Sequence, residues 1–279
     1  MIKSRITDLH EPDILNDNKN SSQISSPLVL SNFRVFLDFD NTITTCDVLD
    51  EIIKKFSVDK KWVELENAWL ADEIGTKECL EGQIRGVRVT KKKLCEYLST
   101  IKLDHSFHKL LTILQEHGVK PVILSDNFYF IIECILENYG IADVKVYANS
   151  IKFYKDRLIP SFPYDNPFCL FCAHCKKIHL AKDEHADKLI VYIGDGRSDI
   201  CPALISDIIF AKDKLLEHLK KTEKDFIPYK NLEDIFNYFK GVVDGGKLHD
   251  KKNNKKIKGL PHLTNIISER WKDAIMKKS

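Results

Sequence analysis

Long apolar runs are missing from this sequence of 279 residues. Residues 128–132 and 189–193 are uninterrupted apolar runs, but each is only five residues long, whereas a transmembrane helix needs about 20. The N-terminal stretch MIKSRITDLHEPD also lacks the apolar core of a signal peptide. These absences argue against a membrane protein and lead us to expect a cytoplasmic location, where the eight cysteines would stay reduced or bind a metal.

The net charge is also small, because 43 Lys and Arg residues nearly balance 41 Asp and Glu residues and leave a formal charge of +2. The charge is unevenly distributed: residues 240–279 hold 11 Lys+Arg against 4 Asp+Glu, or +7, which leaves −5 on residues 1–239. A hydrophobic fraction of 43% and a charged fraction of 30% exclude a wholly disordered, collagen-like or coiled-coil chain. At roughly 150 residues per domain, the length predicts about two domains, or one with a large insertion.

Changes in composition divide the chain into segments. Residues 1–32 are predicted to be a disordered extension, because the stretch NDNKNSSQISSP contains a single apolar residue, Ile24. Residues 33–45 and 119–240 are predicted to form the core domain, in which the short apolar runs RVFL, KPVIL, KLIVYI and DIIF are each followed by helical spacing. This alternation predicts an α/β fold with a parallel sheet covered by helices on both faces. A further strand and a short hairpin are predicted within residues 144–162.

Two segments are predicted to be helical. Residues 46–118 contain no comparable strand, and their apolar residues recur at three-to-four spacing, which predicts an all-helical insertion after the first strand. Residues 241–279 are predicted to be a basic linker followed by a C-terminal helix. Six residues of that helix share one apolar face: Leu263, Ile266, Ile267, Trp271, Ala274 and Ile275.

Polar residues end three of the predicted strands, and in an open parallel sheet these ends meet in one crevice. The three sets are Asp38 with Asp40, Ser125 with Asp126 and Asn127, and Asp195 with Asp199. In the first set, one carboxylate could bind a metal and attack phosphorus while the other moves protons. The second set offers a hydroxyl and backbone N–H groups to phosphate, and the third offers two acids to a hard cation beside glycines. One Asp pair alone is more often a helix cap, but three such sets in one alternating chain indicate phosphate chemistry.

Four motifs carry a resemblance to a known family. DFDNT at residues 38–42, Ser125, a downstream lysine and GDGRSD at residues 194–199 resemble the signatures of the haloacid-dehalogenase-like (HAD) phosphatases. The helical insertion resembles the cap of subfamily IB, which includes phosphoserine phosphatase. IGDGRSDICPA and IIFAKDKLLEHL resemble both the diketo-methylthiopentyl-phosphate phosphatases of methionine salvage and the phosphoethanolamine/phosphocholine phosphatases. The resemblance covers residues 34–239 and implies a doubly wound, Rossmann-like parallel-sheet core with an all-helical cap inserted after the first strand.

The resemblance implies a Mg²⁺-dependent phosphomonoesterase that works through an aspartyl-phosphate. It makes Asp38 the nucleophile and Asp40 the general acid and later the base, while Ser125 holds a phosphate oxygen. Mg²⁺ would be held by Asp38, the Asp40 backbone carbonyl and Asp195, with Asp199 in support. The candidate substrate contacts are Thr42, Asp126 and Asn127. Independently of the family, a carboxylate can approach a phosphate dianion only if cations neutralise the repulsion.

The catalytic lysine has two candidates. Lys176, in the stretch CLFCAHCKK, matches the Cys-Lys pattern of both subgroups that the chain resembles, and Lys177 is the neighbouring alternative. A lysine at the start of a helix is unfavourable against the helix dipole unless an anion lies there. We favour Lys176.

The cysteines of the same stretch suggest a second metal. Cys169, Cys172 and Cys175, with His174 and the nearby His179, have the short spacing that favours chelation and could supply four ligands to a structural Zn²⁺. A second, distant cysteine pair that would complete a zinc ribbon is absent. A reduced loop packed beside the active site is the alternative.

Substrate clues point in more than one direction. An acid at Asp126, where phosphoserine phosphatases have glycine, argues against phosphoserine and resembles the phosphoethanolamine/phosphocholine branch, where it would face a cationic head. Trp62 and Trp69 could stack on such a cation, although packing inside the helical segment explains their spacing better. Arg85 and Arg88 could instead meet an anionic substrate or lie on a solvated face. We expect a methionine-salvage-like phosphatase, with the amine-phosphate specificity as the alternative.

A function of another class also fits part of the sequence. The Cys/His loop and the basic tail could form a zinc- or nucleic-acid-binding module on a degenerate phosphatase body. The tail has no aromatic residue besides Trp271 among its basic residues, and every expected catalytic residue type is present. We therefore expect an active enzyme whose partner is a small phosphate monoester rather than nucleic acid or membrane. The sequence leaves the oligomeric state open.

Overall fold

A computed structural model describes residues 30–169, 171–182 and 187–245. The predicted N-terminal extension, apart from residues 30–32, and most of the predicted C-terminal linker and helix lie outside the described residues. The strands are β1 (Phe33–Leu37), β2 (Val122–Phe128), β3 (Lys145–Tyr154), β4 (Arg157–Ser161), β5 (Leu189–Gly194), β6 (Ile208–Ala211) and β7 (Ile227–Pro228). The helices are α1 (Val48–Phe56), α2 (Lys61–Leu70), α3 (Thr76–Gly86), α4 (Lys91–Leu98), α5 (Phe107–Glu116), α6 (Tyr129–Asn138), α7 (Lys177–Leu180), α8 (Ile200–Leu204), α9 (Asp213–Leu219) and α10 (Leu232–Val243).

The strands form one sheet in the order β4-β3-β2-β1-β5-β6-β7, in which β4 alone runs antiparallel to its neighbour. At the centre, β1 pairs in parallel with β2 on one side and with β5 on the other. The chain crosses from one half of the sheet to the other after β4, so the strand order reverses next to β1. In parallel sheets the crevice at such a reversal is the usual ligand site.

Helices cover both faces of the sheet. Val35 and Leu37 of β1 point into a large apolar cluster that includes the buried faces of α5, α6 and α10. Phe36 of β1 and Tyr192 of β5 point to the opposite face and pack with buried residues of α7, α8 and α9. The alternation follows from the two-residue period of a strand that is buried on both sides. The predicted α/β fold with a doubly wound parallel sheet is thereby confirmed.

The segment between β1 and β2 contains only helices among its named elements, α1 to α5. Helix α1 begins at Asp47, whose side chain accepts a hydrogen bond from Asp50 N, and it buries one apolar face. Helix α5 packs against α10 and so belongs to the layer that covers the sheet, whereas α2 has no fully buried residue. The division of the chain into a core and a cap at residues 46–118 stays a prediction.

Three strands differ from the expectation. β2 continues past Leu124 to Phe128, with a register shift where it carries Ser125, Asp126 and Asn127. β3 is one long strand: its first part pairs with β2 and its second part pairs with β4. The predicted strand and the first strand of the predicted hairpin are therefore one continuous strand. The two-residue β7 had no sequence signal, because a pairing this short depends on its neighbour β6. Among the described residues, no helix has the length and apolar character needed to cross a membrane.

Candidate active site

The C-terminal ends of β1, β2 and β5 open into a cavity of about 400 Å³ between the sheet and helices α1 to α3. The sheet side presents residues at the ends of the strands or after them: Asp38, Asp40, Asn41, Ser125, Asp126, Asn127, Lys176, Asp195, Gly196, Arg197, Ser198, Asp213 and Lys214. The side formed by the helical insertion presents Asp47, Leu49, Asp50, Ile53, Glu66, Trp69, Thr76, Cys79, Leu80 and Gln83. Cavities of this size hold small metabolites.

Lys176 joins two of the predicted acids. Its Nζ lies 2.8 Å from Asp38 Oδ1 and 2.7 Å from Asp199 Oδ1, and its side chain is fully buried. Burial by itself lowers the pKa of Lys176, but the charges of Asp199 and Asp38 raise it well above the ordinary value. Lys176 is therefore held as a cation. Lys177, one residue further along, is exposed at the start of α7.

Asp199 is fixed by four donors. Its Oδ1 accepts hydrogen bonds from Lys176 Nζ and Tyr192 Oη (2.6 Å), and its Oδ2 accepts from the backbone N–H groups of Asp195 and Gly196, both at 2.9 Å. Burial favours the neutral acid, yet the Lys176 charge and these hydrogen bonds lower the pKa of Asp199. Asp199 therefore acts as the anchor of the loop that follows β5.

Asp38, Asp195 and Asp199 form a cluster in which one carboxylate oxygen of each lies within 4.8 Å of the others, and all three residues are buried. Burial and the charge of Asp199 raise the pKa of Asp195 to about 7. Burial, Asp199 and Asp195 raise the pKa of Asp38 well above its ordinary value, with Lys176 opposing the shift. Burial and mutual repulsion therefore make the fully ionised state of these acids unfavourable unless further positive charge is bound.

Thr42 lies behind the cluster and not at the cavity. Its hydroxyl donates to Asp195 Oδ1 (2.8 Å) and lies 3.2 Å from Tyr229 Oη, which also donates to Gly194 O at 3.4 Å. The cavity lining does not include Thr42. We predicted a substrate contact at Thr42, and the structure instead places it as a support for Asp195.

Asp40 lines the same cavity and is held by hydrogen bonds from α1 and β2. Its Oδ1 accepts from Val48 N (2.9 Å), and Asn127 Nδ2 donates to Oδ1 (3.1 Å) and Oδ2 (3.0 Å). Ser125 Oγ lies 3.4 Å from Oδ2. Burial and the charge of Asp47 raise the pKa of Asp40 to about 8, so this carboxyl keeps its proton at neutral pH.

Asp126 and Ser125 lie on the irregular end of β2. Asp126 lines the cavity, and its Oδ1 is buried without a hydrogen-bond partner among the described residues. Burial raises the pKa of Asp126 to about 6 against the opposing charge of Lys176. The Ser125 hydroxyl accepts from Asn127 N (3.0 Å) and so is held next to Asp40.

The predicted zinc site is not supported. The cluster of Asp38, Asp195 and Asp199 is the one group of three potential ligands that the described residues bring within 4.8 Å, and Cys169, Cys172, Cys175 and His174 are not part of it. His174 is buried, its Nδ1 lies 2.9 Å from Ser125 O, and its Nε2 lies 2.8 Å from Nε2 of His179. A carbonyl can only accept, so Nδ1 of His174 carries the proton and Nε2 accepts from His179. Both ring nitrogens of His174 are thus committed to hydrogen bonds, and the bond from Nδ1 holds the backbone of β2 at Ser125.

The helical insertion supplies Trp69 but not the other predicted substrate contacts. Trp62 is packed against the apolar core and does not line the cavity. Arg85 bonds to Glu81 (2.6 Å), and Arg88 donates to the backbone carbonyls of Arg85 and Val87, all outside the cavity. Trp69 already faces cations of the chain itself, with Arg197 Cζ 5.0 Å and Lys214 Nζ 5.8 Å from its ring centroid.

Sequence reasoning missed Tyr192, Tyr229 and Arg197. Tyr192 lies within an apolar strand, and Tyr229 follows the two-residue β7, so neither had a signal of its own. Arg197 lies inside the GDGRSD motif between two candidate metal ligands and could have been found there.

The family of the chain follows from a comparison of its sequence with known families. Residues 33–224 match the model of the family described as "Putative Phosphatase". The chain belongs to this family. The match covers both the strands and the helical insertion that form the cavity.

Two curated relatives of the phosphatase carry the same name. A 2-hydroxy-3-keto-5-methylthiopentenyl-1-phosphate phosphatase of Bacillus cereus is 23% identical over 217 residues, which are 76% of this chain and 98% of the relative. The corresponding protein of Exiguobacterium is 28% identical over 214 residues, or 75% of this chain and 97% of the relative. These relatives and the family show that the protein is a hydrolase acting on phosphoric monoesters.

Solved structures share the fold of the phosphatase. A phosphoserine phosphatase from T. onnurineus superposes with a TM-score of 0.56 at 18% identity, over 75% of this chain and 94% of its own. A structure titled as the phospho-aspartyl intermediate analogue of phosphoserine phosphatase gives a TM-score of 0.57 at 18% identity, over 74% and 98%. The resemblance to HAD phosphatases is confirmed.

Proposed function

We propose that this phosphatase is a Mg²⁺-dependent phosphomonoesterase that hydrolyses a small phosphorylated metabolite through an aspartyl-phosphate on Asp38. The observation that carries the proposal is a cluster of three buried carboxylates at the C-terminal ends of the central strands, two of which, Asp38 and Asp199, bond to the buried Lys176. Asp40, whose raised pKa of about 8 keeps it protonated at neutral pH, lines the same cavity and supports a role as the general acid.

The donor set fits a divalent cation. Asp38, Asp195 and Asp199 carry three negative charges when ionised, and Lys176 supplies one positive charge. Two charges are missing, and hard carboxylate oxygens are the donors that Mg²⁺ prefers. Asp38 and Asp195 would hold the ion directly, with the Asp40 carbonyl, and Asp199, whose two oxygens accept from four donors, would support them. When bound, the ion would neutralise the phosphate charge as a Lewis acid.

Asp38 would attack phosphorus. Its Oδ1 is held by Phe39 N (2.7 Å) and Lys176 Nζ (2.8 Å), and its own backbone N–H donates to Ile193 O (2.9 Å). These bonds fix the carboxylate at the cavity wall, and Oδ2 is the oxygen that would form the bond to phosphorus. The bond between phosphorus and the leaving oxygen breaks at the same step, and Lys176 and Ser125 hold the phosphoryl oxygens.

Asp40 would protonate the leaving alcohol. Its carboxyl keeps a proton below a pH of about 8, and Asn127 and Val48 fix its orientation. After the alcohol departs, the ionised Asp40 would take a proton from the water that attacks the aspartyl-phosphate. That second attack releases phosphate and restores Asp38.

The mechanism is tested with p-nitrophenyl phosphate. We expect hydrolysis that requires Mg²⁺ and is abolished in Asp38→Asn, while circular dichroism shows an unchanged fold. Acid-quenched wild-type protein should carry one added phosphoryl group by mass spectrometry, and Asp38→Asn should carry none. A folded, Mg²⁺-loaded wild type without activity on any phosphate monoester would refute the proposal.

For the substrate, we propose the methionine-salvage class as the first candidate. The curated relatives bear that name over about three quarters of the chain. Leu49, Ile53 and Leu80 of the insertion give the cavity an apolar wall, which suits a leaving group that is uncharged apart from its phosphate.

Amine-bearing phosphates are the second candidate, because the cavity is also lined by carboxyl groups. Asp47, Glu66 and Asp126 line it, and Asp126 Oδ1 is buried without a hydrogen-bond partner among the described residues. An ammonium group would supply the missing donor.

A panel of phosphorylated metabolites separates the two candidates. It would contain phosphoethanolamine, phosphocholine, phosphoserine and a methylthio-sugar phosphate analogue, each assayed by phosphate release. A preference for amines that disappears in Asp126→Asn supports the second candidate. A preference for the methylthio compound that survives in Asp126→Asn supports the first.

A further inference from the structure

The tip of the helical insertion touches the sheet domain at three places. We call residues 69–77, from the end of α2 to the start of α3, the cap tip. Asp72 of the tip forms an ion pair with Arg197, and Lys77 forms one with Asp165. Thr76 Oγ1 donates to the carbonyl of Phe171 at 2.6 Å. The tip thus rests on two separate loops of the sheet domain.

Trp69 connects these contacts to the cavity. Its indole N–H donates to Thr76 Oγ1 (2.9 Å), and the Arg197 guanidinium lies 5.0 Å from its ring centroid. Trp69, Thr76 and Arg197 all line the cavity. The contacts of the tip therefore close one wall of the space in which the substrate would lie.

Arg197 also belongs to the loop that holds two of the acids. It opens the single turn Arg197–Asp199, and Asp199 Oδ2 accepts from the N–H groups of Asp195 and Gly196 on the other side of it. Asp195 and Asp199 are each two residues from Arg197 along the chain, so a displacement of Arg197 would also displace them. The ion pair with Asp72 is therefore a direct link between the cap tip and the proposed metal-binding loop.

The contacts of the tip are of a kind that can open and close. Helix α2 has no fully buried residue, whereas α1 and α3 each bury several. The Arg197 and Asp72 side chains are 36% and 65% exposed. Exposed ion pairs and cation–π contacts form and break at low cost, unlike a packed apolar face.

We propose that Arg197 is a positioning residue, which holds the cap tip closed over the substrate and couples that closure to the loop of Asp195 and Asp199. The role rests on the proposed function, because it assigns this loop to the site of phosphate hydrolysis. Arg197 takes no part in bond making. It acts through Asp72 and Trp69 on one side and through Asp199 on the other.

The test uses the full chain with Arg197→Gln, Asp72→Asn and the double variant. Asn tolerates the left-handed conformation of Asp72 (φ 58°), so the second change removes charge without backbone strain. Arg85→Gln is the matched control, because Arg85 forms the same type of exposed pair with Glu81 on α3, outside the cavity. Amide hydrogen exchange of residues 69–77 and the kinetics of p-nitrophenyl phosphate hydrolysis are measured for each protein.

We expect exchange at the cap tip to accelerate about two- to fivefold in Asp72→Asn, as the loss of an exposed ion pair gives, and by a larger factor in Arg197→Gln, which also loses the contact with Trp69. The value of kcat/KM should fall by similar factors, and the double variant should fall no further than Arg197→Gln alone, because Asp72→Asn removes only an ion pair that Arg197→Gln has already broken. The Mg²⁺ concentration for half-maximal rate should rise in Arg197→Gln, which a merely structural role of the tip would not cause. Arg85→Gln should leave all three quantities unchanged.

Two results would overturn the coupling. One is tip exchange that is equal in wild type and Arg197→Gln, and the other is additive losses in the double variant. An inactive wild type would count against the proposed function instead, and the exchange measurement would still decide whether Arg197 holds the tip.

Discussion

A lysine as completely buried as Lys176 is tolerated only where carboxylates replace its lost hydration. Asp38 and Asp199 do so at 2.8 and 2.7 Å. The same two bonds give the lysine its chemical value, because they hold a fixed positive charge at the position where phosphate oxygens would gather. Structure and proposed catalysis therefore depend on the same contact.

Replacing this lysine should damage both. In Lys176→Met the two acids lose their cation, so the free energy of unfolding should fall by about 3–5 kcal/mol and kcat by about 100-fold or more. Urea denaturation and p-nitrophenyl phosphate assays measure the two effects. Lys177→Met is the control, because Lys177 is exposed one residue away, and it should change stability by no more than about 0.5 kcal/mol. A larger loss in Lys177→Met than in Lys176→Met would contradict the assignment.

The buried histidine pair gives a prediction about pH. Burial lowers the pKa of His174 to about 3 and that of His179 to about 4. The unfolded chain, with values near 6.5, then binds more protons between about pH 4 and 6.5, so each histidine removes stability as the pH falls through that window. The raised pKa values of Asp38 and Asp195 act in the opposite sense, and a variant is needed to isolate the histidines.

His179→Gln keeps a donor for His174 and removes one titrating ring. Between pH 7.5 and 5.5, wild type should lose about 1 kcal/mol of unfolding free energy relative to this variant. Urea denaturation at the two pH values measures the difference. An equal pH dependence in both proteins would show that His179 is not buried as a neutral ring.

At this scale the sequence predicted which charged side chains line the cavity, and their catalytic roles stay a proposal. Asp38, Asp126, Asp195 and Lys176 line the cavity as expected. Thr42 lies in the expected motif but faces Asp195, and Tyr192 and Tyr229 act as donors from positions that look apolar or irregular in the sequence. Such supporting contacts depend on the packing of several elements, which no local pattern records.

Among the secondary-structure elements, strand β5 ends at Gly194, where the Asp199 carboxylate leaves no room for a side chain. A Cβ at Gly194 would lie 2.5 Å from Asp199 Oδ2 and 2.6 Å from its Cγ. Asp199 cannot move away, because four donors hold its carboxylate. The close approach of strand and anchor therefore requires glycine at this position.

Gly194→Ala should therefore displace Asp199 and the loop after β5. We expect a loss of about 2–4 kcal/mol in unfolding free energy, typical of a steric conflict together with a broken buried network, and a loss of most phosphatase activity. Gly86→Ala is the matched control at the end of α3, where a Cβ would meet nothing within 4 Å. That change should be neutral or stabilise by up to about 1 kcal/mol. Thermal unfolding of both variants, with activity assays, provides the comparison, and equal effects would contradict the steric account.

The elements themselves were largely predictable, because their apolar periods are long and regular. The runs that predicted β1, β2, β5 and β6 appear as strands, and the long segment after β1 is helical. The continuation of β2 through Ser125 and Asn127 was not foreseen. Polar residues disfavour a strand locally, and pairing of Phe128 with Asn149 of β3 overrides that preference. Likewise, α5 has the same amphipathic pattern as its neighbours, and only its packing against α10 distinguishes it from them.

For the whole molecule, the net charge of +2 hides a local concentration of negative charge at the proposed catalytic site. Residues 1–239 carry −5, and part of that charge is concentrated in the cluster of Asp38, Asp195 and Asp199. Such a cluster opposes folding unless cations reach it, as the raised pKa values of Asp38 and Asp195 indicate. Lys176 opposes this charge at Asp38 and Asp195, Lys212 also opposes it at Asp195, and we propose that Mg²⁺ supplies the remaining positive charge.

Binding of Mg²⁺ should therefore stabilise the entire fold. At a concentration 100 times the dissociation constant, a ligand that binds only the native state adds about 2.7 kcal/mol, which corresponds to a rise in Tm of about 5–10 °C for a chain of this size. Differential scanning fluorimetry with and without Mg²⁺, at constant ionic strength, measures the shift. Asp195→Asn removes a proposed ligand and should lose most of the shift, although without Mg²⁺ it should be no less stable than wild type, since it relieves repulsion from Asp199. Asp59→Asn, an exposed acid away from the cavity, should keep the full shift. If the Tm of the wild type did not change with Mg²⁺, the proposal that Mg²⁺ binds the three acids would be contradicted.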